Sequence, residues 1–91
     1  MASYTPGELT DLVVKLLQEV APEVDPLQIK SDAPLRDQVD IDSMDFLKWI
    51  GLIYENLGVD IPEADYSLLK SLDDLVAYLG ARLQEINFNP R

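Results

Sequence analysis

The strongest constraint on the fold is the spacing of apolar residues, which recur at steps of three and four in three separate segments of the chain. Steps of this size place side chains on one face of an α-helix, whereas a half-buried strand would alternate apolar and polar residues. The three predicted apolar faces are Leu9, Leu12, Val13, Leu16, Leu17 and Val20; Met44, Phe46, Leu47, Ile50, Ile53, Tyr54 and Leu57; and Leu72, Leu75, Val76, Leu79 and Leu83. The sequence therefore predicts an all-α fold.

Capping residues mark the ends of the predicted helices. Thr5 is the expected N-cap of the first helix, and Glu8 completes a capping box with it. Gly58 is the expected C-cap of the second helix, since glycine adopts the left-handed conformation that often ends a helix. Ser71, followed by Asp74 three residues later, is the expected cap of the last helix.

These boundaries predict a single domain over residues 1–91: a four-helix bundle of three main helices and one short helix, with a long loop after helix 1. The predicted helices span about residues 6–20, 43–57, 63–68 and 72–86, and the residues after Ile86 are expected to fray. The loop is interrupted by prolines, and its apolar residues are expected to lie on the core: Leu27, Ile29, Leu35, Val39 and Ile41. A connection of this length without regular structure is uncommon in a compact domain and is often functional.

The chain contains no cysteine and no histidine. The first absence excludes a disulfide framework and a thiolate nucleophile, and the second removes the commonest general base and metal ligand. A hydrolase triad of the usual kind cannot be built from such a chain. We therefore expect neither an enzyme nor a metal site, and any thiol or acyl chemistry has to come from another molecule.

Acidic residues outnumber basic ones by 17 to 7, which gives a formal net charge of −10. Such a field repels nucleic acids and anionic membranes and attracts basic protein surfaces. The apolar runs are too short to span a bilayer, and residues 1–6 lack the basic and apolar regions of a signal peptide. We expect a cytoplasmic monomer with basic protein partners, without nucleic-acid binding and without membrane insertion.

The stretch Asp42-Ser43-Met44-Asp45 lies where the long loop meets the second predicted helix. Serine is among the best N-caps and aspartates complement the helix dipole, so these residues, together with Asp40, are consistent with ordinary capping. A serine at a helix start also presents its hydroxyl beside free N–H groups, which favour a phosphate. On this second interpretation Ser43 carries a phosphodiester, and the aspartates would hold Mg²⁺ or a basic partner during the modification.

Three segments together resemble the acyl carrier protein family: Asp42-Ser43-Met44-Asp45, Leu57-Gly58-Val59-Asp60-Ile61-Pro62, and residues 72–79. That family typically shows Asp-Ser-Leu-Asp, a helix, and Gly-Ile-Glu-Ile-Pro at the same separation. The resemblance implies a four-helix bundle in which Ser43 receives 4′-phosphopantetheine from coenzyme A. It also implies a separate, Mg²⁺-dependent phosphopantetheinyl transferase as a partner, with Asp42, Met44 and Asp45 supporting the attachment motif.

The resemblance further implies a carrier role in fatty acid or other lipid metabolism. The arm ends in a thiol that holds acyl groups as thioesters, and the partners are acyl-loading and acyl-transfer enzymes with basic docking surfaces. Bundles of this family can shelter an apolar chain between helices. The residues that would border such a space here are Met44, Leu47, Ile50, Ile61, Tyr66 and Leu69, although plain core packing explains each of them as well.

The second helix departs from the family's pattern. Family members usually have glycine in place of Asp40, leucine in place of Met44, and several glutamates along this helix. The helix here instead carries Lys48, Trp49, Gly51, Tyr54, Glu55 and Asn56. We expect partner docking through Asp45, Lys48, Trp49 and Glu55, with Trp49 either partly buried or an exposed interface anchor. This altered face predicts a specialised carrier for a lipid or secondary-metabolite pathway.

Two alternatives remain open. The first is an aminoacyl or peptidyl carrier, although such carriers more often show Gly-Gly-His-Ser or a similar stretch before the helix, which Val39-Asp40-Ile41-Asp42 does not match. The second is an unmodified acidic helical adaptor in which Ser43 is only an N-cap, so that Ser43→Ala would cost about 1 kcal/mol of stability. A calcium-binding loop is disfavoured because Met44, Asp45 and Gly51 occupy positions that need a ligand, a glycine and a bidentate glutamate.

Overall fold

Three α-helices form where apolar residues recur at helical spacing: α1 (Pro6–Val20), α2 (Ser43–Leu57) and α3 (Leu72–Phe88). The structure is a computed structural model that describes residues 4–88. Two short 3₁₀ helices lie in the connections, the first at Leu35–Asp37 and the second at Glu63–Leu68. Residues 4–88 contain no strand. The predicted all-α bundle of three main helices and one short helix is confirmed.

Local capping chemistry fixes the helix ends. The Thr5 side chain accepts a hydrogen bond from the Glu8 N–H at 3.1 Å, and the Glu8 carboxylate accepts one from the Thr5 N–H at 2.8 Å. Ser71 and Asp74 form the same reciprocal pair at the start of α3, at 3.1 and 3.3 Å. Gly58 ends α2 with φ of 72°, a conformation that glycine adopts without steric cost. The predicted caps at these three ends are therefore confirmed.

The core is formed by α1 packing against both α2 and α3. Its most deeply buried side chains are Leu9, Val13, Leu17, Trp49, Ile53, Val59, Leu72, Leu75 and Leu79. The Trp49 indole N–H donates a hydrogen bond to the Val13 carbonyl at 2.9 Å, so one buried polar group is satisfied across the interface between α2 and α1. This packing fixes the orientation of α2 relative to the rest of the bundle.

The long loop is held against the bundle by apolar contacts. Leu35 and Val39 are buried, and Ile29 and Ile41 are half-buried, as predicted. The expectation that Leu27 lies on the core is wrong, because this side chain is almost fully exposed. Its N–H donates to the Asp25 carboxylate at 3.0 Å in a tight local turn, which leaves the side chain in solvent.

Hydrogen bonds order the same loop. The Gln38 side chain accepts from the Lys30 N–H at 2.6 Å and donates to the Lys30 and Ala33 carbonyls, both at 2.9 Å. Two backbone bonds then tie the loop to the region where α3 begins: the Leu35 N–H donates to the Lys70 carbonyl, and the Asp73 N–H donates to the Ser31 carbonyl. These hydrogen bonds therefore fix the position of the loop that leads into α2.

At the C-terminal end, α3 continues through Phe88, so fraying directly after Ile86 is not what the structure shows. The other residues of the predicted frayed tail, 89–91, lie outside the described residues, as do residues 1–3 of the N-terminal segment that was tested for a signal peptide. None of the described helices combines the length and apolar character that a bilayer crossing needs.

Candidate functional site

Ser43 is the first residue of α2, and the residue before it caps the helix. The Asp42 carboxylate accepts a hydrogen bond from the Asp45 N–H at 2.8 Å, and the Asp42 carbonyl accepts one from the Phe46 N–H at 2.9 Å. The interpretation of Ser43 as the N-cap is therefore wrong. Because Asp42 performs the capping, the helix end does not need the Ser43 hydroxyl.

The Ser43 side chain is exposed. Among the hydrogen bonds of residues 4–88, none involves the Ser43 hydroxyl, and none uses the N–H groups of Ser43 and Met44. Both N–H groups lie in the first turn of α2, where the helix dipole is positive and favours a phosphate. The start of α2 thus combines an accessible hydroxyl with two adjacent hydrogen-bond donors, an arrangement that suits a phosphodiester on Ser43.

Acidic side chains flank this position. Asp40 and Asp42 are exposed, and Asp45 is half-buried. In the part of the chain that the structure describes, no three acidic side chains converge in an arrangement that could hold a metal ion. A Mg²⁺ ion acting during modification would therefore need ligands from the transferase or from coenzyme A in addition to these carboxylates.

The buried face of α2 differs from the predicted one. Met44, Leu47 and Tyr54 are 68%, 53% and 55% exposed, whereas Trp49 is 1% exposed. The residues of α2 that contact the core are Phe46, Trp49, Ile50, Leu52, Ile53 and Leu57. Apolar residues cover too wide an arc of this helix for all of them to be buried, and the packing of Trp49 on α1 decides which of them are. An exposed apolar stripe of Met44, Leu47 and Tyr54 therefore runs along α2 from the turn that contains Ser43.

The predicted docking residues divide into two groups. Lys48 and Glu55 are exposed and Asp45 is half-buried, so their docking role stays a prediction. Of the two alternatives for Trp49, the exposed docking anchor is wrong and burial is confirmed, because its ring lies in the core and its N–H donates a hydrogen bond to the Val13 carbonyl. Sequence reasoning also missed that Met44, Leu47 and Tyr54 are exposed beside these charges. A different helical series of buried positions, 46, 49, 50, 53 and 57, would have predicted that these three residues face solvent.

The six residues predicted to border an apolar space differ in their exposure to solvent. Met44 and Leu47 are exposed, Tyr66 is half-buried, and the other three are buried in the core: Ile50, Ile61 and Leu69. Two open cavities on the surface have volumes of about 300 and 630 Å³. The first is lined by the long loop and the second by α1, the loop and Leu72, so neither contains any of the six residues.

Comparison with known proteins adds independent information on this site. Residues 9–79 match the family model described as the phosphopantetheine attachment site. An acyl carrier protein of Campylobacter hominis is 31% identical over 72 residues, which cover 79% of this chain and 85% of the relative. An acyl carrier protein of Bdellovibrio bacteriovorus is 29% identical over 72 residues, covering 79% and 86%. The meromycolate extension acyl carrier protein of Mycobacterium tuberculosis is 29% identical over 83 residues, covering 91% and 70%.

Proposed function

Since this chain belongs to the acyl carrier protein family, whose cofactor is phosphopantetheine, we propose that Ser43 is the residue to which the 4′-phosphopantetheine arm is attached. The observation that carries the proposal is the start of α2, where Asp42 caps the helix and the Ser43 hydroxyl is exposed. A transferase can reach this hydroxyl without breaking a hydrogen bond that stabilises the described fold.

The surroundings of Ser43 suit each part of the arm. The N–H groups of Ser43 and Met44 are oriented by the helix start to donate to a phosphate, and the helix dipole favours its charge. The exposed Met44 and Leu47 side chains provide apolar surface within about one helical turn of Ser43. When bound, the arm supplies a terminal thiol that holds an acyl group as a thioester, which a chain without cysteine cannot supply itself. The protein then acts as a carrier and leaves catalysis to its partners.

The surface of α2 supports an inference about the partners and the pathway. The net charge of −10 favours enzymes with basic docking surfaces, and Asp45 and Glu55 place acidic groups on the helix that begins at Ser43. Lys48 adds a positive charge, and the exposed stripe of Met44, Leu47 and Tyr54 adds apolar surface. The glutamates that the family usually carries on this helix would provide neither. One relative is named a meromycolate extension acyl carrier protein. We infer a monomeric cytoplasmic carrier for a specialised lipid or secondary-metabolite pathway.

Intact mass after enzymatic modification tests the attachment site. The purified chain is incubated with coenzyme A, Mg²⁺ and a broad-specificity phosphopantetheinyl transferase. We expect a gain of one phosphopantetheinyl group in the wild type and in Ser67→Ala, a matched control at another exposed serine, and no gain in Ser43→Ala. A folded wild-type chain that gains nothing, or a gain that persists in Ser43→Ala, contradicts the proposal.

A further inference from the structure

Three aromatic rings fill the region where α2 faces the second 3₁₀ helix. Phe46 lies one turn after Ser43, and its ring contacts Trp49 in the same helix and Tyr66 in the 3₁₀ helix. The ring centroids of Phe46 and Tyr66 are 5.3 Å apart with the planes at 79°, and those of Phe46 and Trp49 are 6.2 Å apart at 76°. Edge-to-face pairs of this kind are a preferred aromatic geometry. These three residues are called the aromatic cluster below.

The aromatic cluster occupies the space between solvent and core on this side of the bundle. Trp49 is buried, whereas Phe46 and Tyr66 are half-buried and pack against the core. An apolar chain that started from Ser43 and entered the bundle between α2 and the second 3₁₀ helix would have to displace the Phe46 and Tyr66 rings. The two surface cavities described above are lined by other parts of the chain, and neither includes a residue of α2 or of this 3₁₀ helix.

Hydrogen bonds hold the second 3₁₀ helix in place even though none of its residues is buried. The Tyr78 hydroxyl on α3 donates to the Asp65 carboxylate at 2.5 Å, and Arg82 donates to the Tyr78 oxygen at 3.0 Å. Burial and the hydrogen bond to the Asp65 carboxylate raise the pKa of Tyr78, which favours the protonated form of the hydroxyl that donates to Asp65. Because Asp65 directly precedes Tyr66, this link also restrains the backbone that carries the Tyr66 ring.

We propose that the aromatic cluster excludes the acyl chain from the interior of the bundle, so that cargo attached through Ser43 stays outside it. The inference rests on the proposed function, in which Ser43 carries the arm. Every methylene left in water forgoes the free energy of apolar transfer, so an exposed position suits short or polar acyl groups. Phe46 and Tyr66 are then the residues that determine which acyl groups this carrier accommodates.

A synthetic arm attached by alkylation tests whether the acyl chain is excluded from the bundle, and it does not require the transferase. The chain has no cysteine, so Ser43→Cys introduces a single thiol that can be alkylated with a spacer of phosphopantetheine length. The spacer ends in an eight-carbon acyl chain bearing an environment-sensitive fluorophore. With the aromatic cluster intact, we expect acrylamide, a neutral quencher that the net charge of −10 does not repel, to quench this fluorophore as strongly as it quenches the same label on a small thiol. Strong protection of the label would overturn the proposal.

Variants of the aromatic cluster complete the test. Adding Phe46→Ala and Tyr66→Ala to the labelled protein should lower quenching severalfold and shift the emission to shorter wavelength, because the chain can then enter. Tyr54→Ala removes an exposed aromatic ring from the same helix and should change neither signal. If the double variant loses its helical circular dichroism, Tyr66→Ala alone replaces it, since Tyr66 is only half-buried.

Two results separate the two proposals. Unchanged quenching in a folded variant of the aromatic cluster would show that these rings do not exclude the chain, and the inference would fail. Because the label is attached by alkylation, that outcome does not depend on any transferase. Failure of enzymatic modification at Ser43 would instead contradict the proposed function alone.

Discussion

Asp42→Ala removes the side chain that caps α2, and its effect on stability can be compared with that of Ser43→Ala. The Asp42 carboxylate accepts the Asp45 N–H at 2.8 Å, and losing an N-cap of this type costs about 1 kcal/mol, within a range of roughly 0.5–2 kcal/mol. The lost charge at the helix start adds about 0.3–1 kcal/mol at low salt. We therefore expect the free energy of unfolding to fall by about 1–2 kcal/mol.

Ser43→Ala should have almost no effect on stability. Its hydroxyl is exposed and makes no hydrogen bond within residues 4–88. Surface substitutions that break no cap, buried contact or hydrogen-bond network usually change the free energy of unfolding by no more than about 0.5 kcal/mol. Thermal unfolding followed by circular dichroism resolves the difference, because each kcal/mol shifts Tm by about 4–8 °C in a domain of this size. Asp42→Asn is the matched control, since asparagine caps about as well as aspartate.

The reverse order of effects would refute this reasoning. If Ser43→Ala lowered the free energy of unfolding by about 1 kcal/mol or more and Asp42→Ala left it unchanged, Ser43 would be the capping residue. Its hydroxyl would then be engaged in the fold, and the physical argument that it is free for modification would fail.

Three further predictions concern stability. Gly51→Ala should raise the free energy of unfolding by up to about 1 kcal/mol in urea denaturation, because nothing lies within 4 Å of the added Cβ; a loss would reveal a close approach there. Trp49→Phe should lower the free energy of unfolding by about 1–2 kcal/mol in the same assay, because the hydrogen bond to the Val13 carbonyl and some packing are lost. Unchanged stability would contradict the buried placement of Trp49. The raised pKa of Tyr78 favours its protonated form in the folded state, so stability should fall as pH rises above about 10, the ordinary tyrosine value. Tyr78→Phe should lessen that fall in unfolding measurements across this range, and an identical pH profile for the two proteins would count against the Asp65 link.

The features that could be predicted from the sequence are those fixed by neighbouring residues. The Thr5–Glu8 and Ser71–Asp74 capping pairs span three residues each, so the pattern alone identifies them. Gly58 likewise needs only its own freedom to adopt positive φ. At the start of α2 the capping interpretation named Ser43 as the N-cap, whereas the structure assigns that role to Asp42, one residue earlier.

The features that could not be predicted depend on residues far apart in the chain. Which apolar residues of α2 are buried is decided by Trp49, whose bonding partner Val13 lies 36 residues away. Helical spacing alone left Trp49 as a possible docking residue and placed Met44 in the buried face. The contact between Phe46 and Tyr66 is also non-local, so helical spacing could not predict that these rings would meet beside the proposed attachment site.

The most direct test of the attachment site is the mass of one tryptic peptide. Trypsin cleaves after Arg36 and Lys48 and releases residues 37–48, in which Ser43 is the only residue with a hydroxyl side chain. After incubation with coenzyme A, Mg²⁺ and the transferase, we predict that this peptide gains one phosphopantetheinyl group and that its fragment ions assign the group to Ser43. An unmodified peptide, in a reaction that converts a known acyl carrier protein in the same tube, would contradict the account.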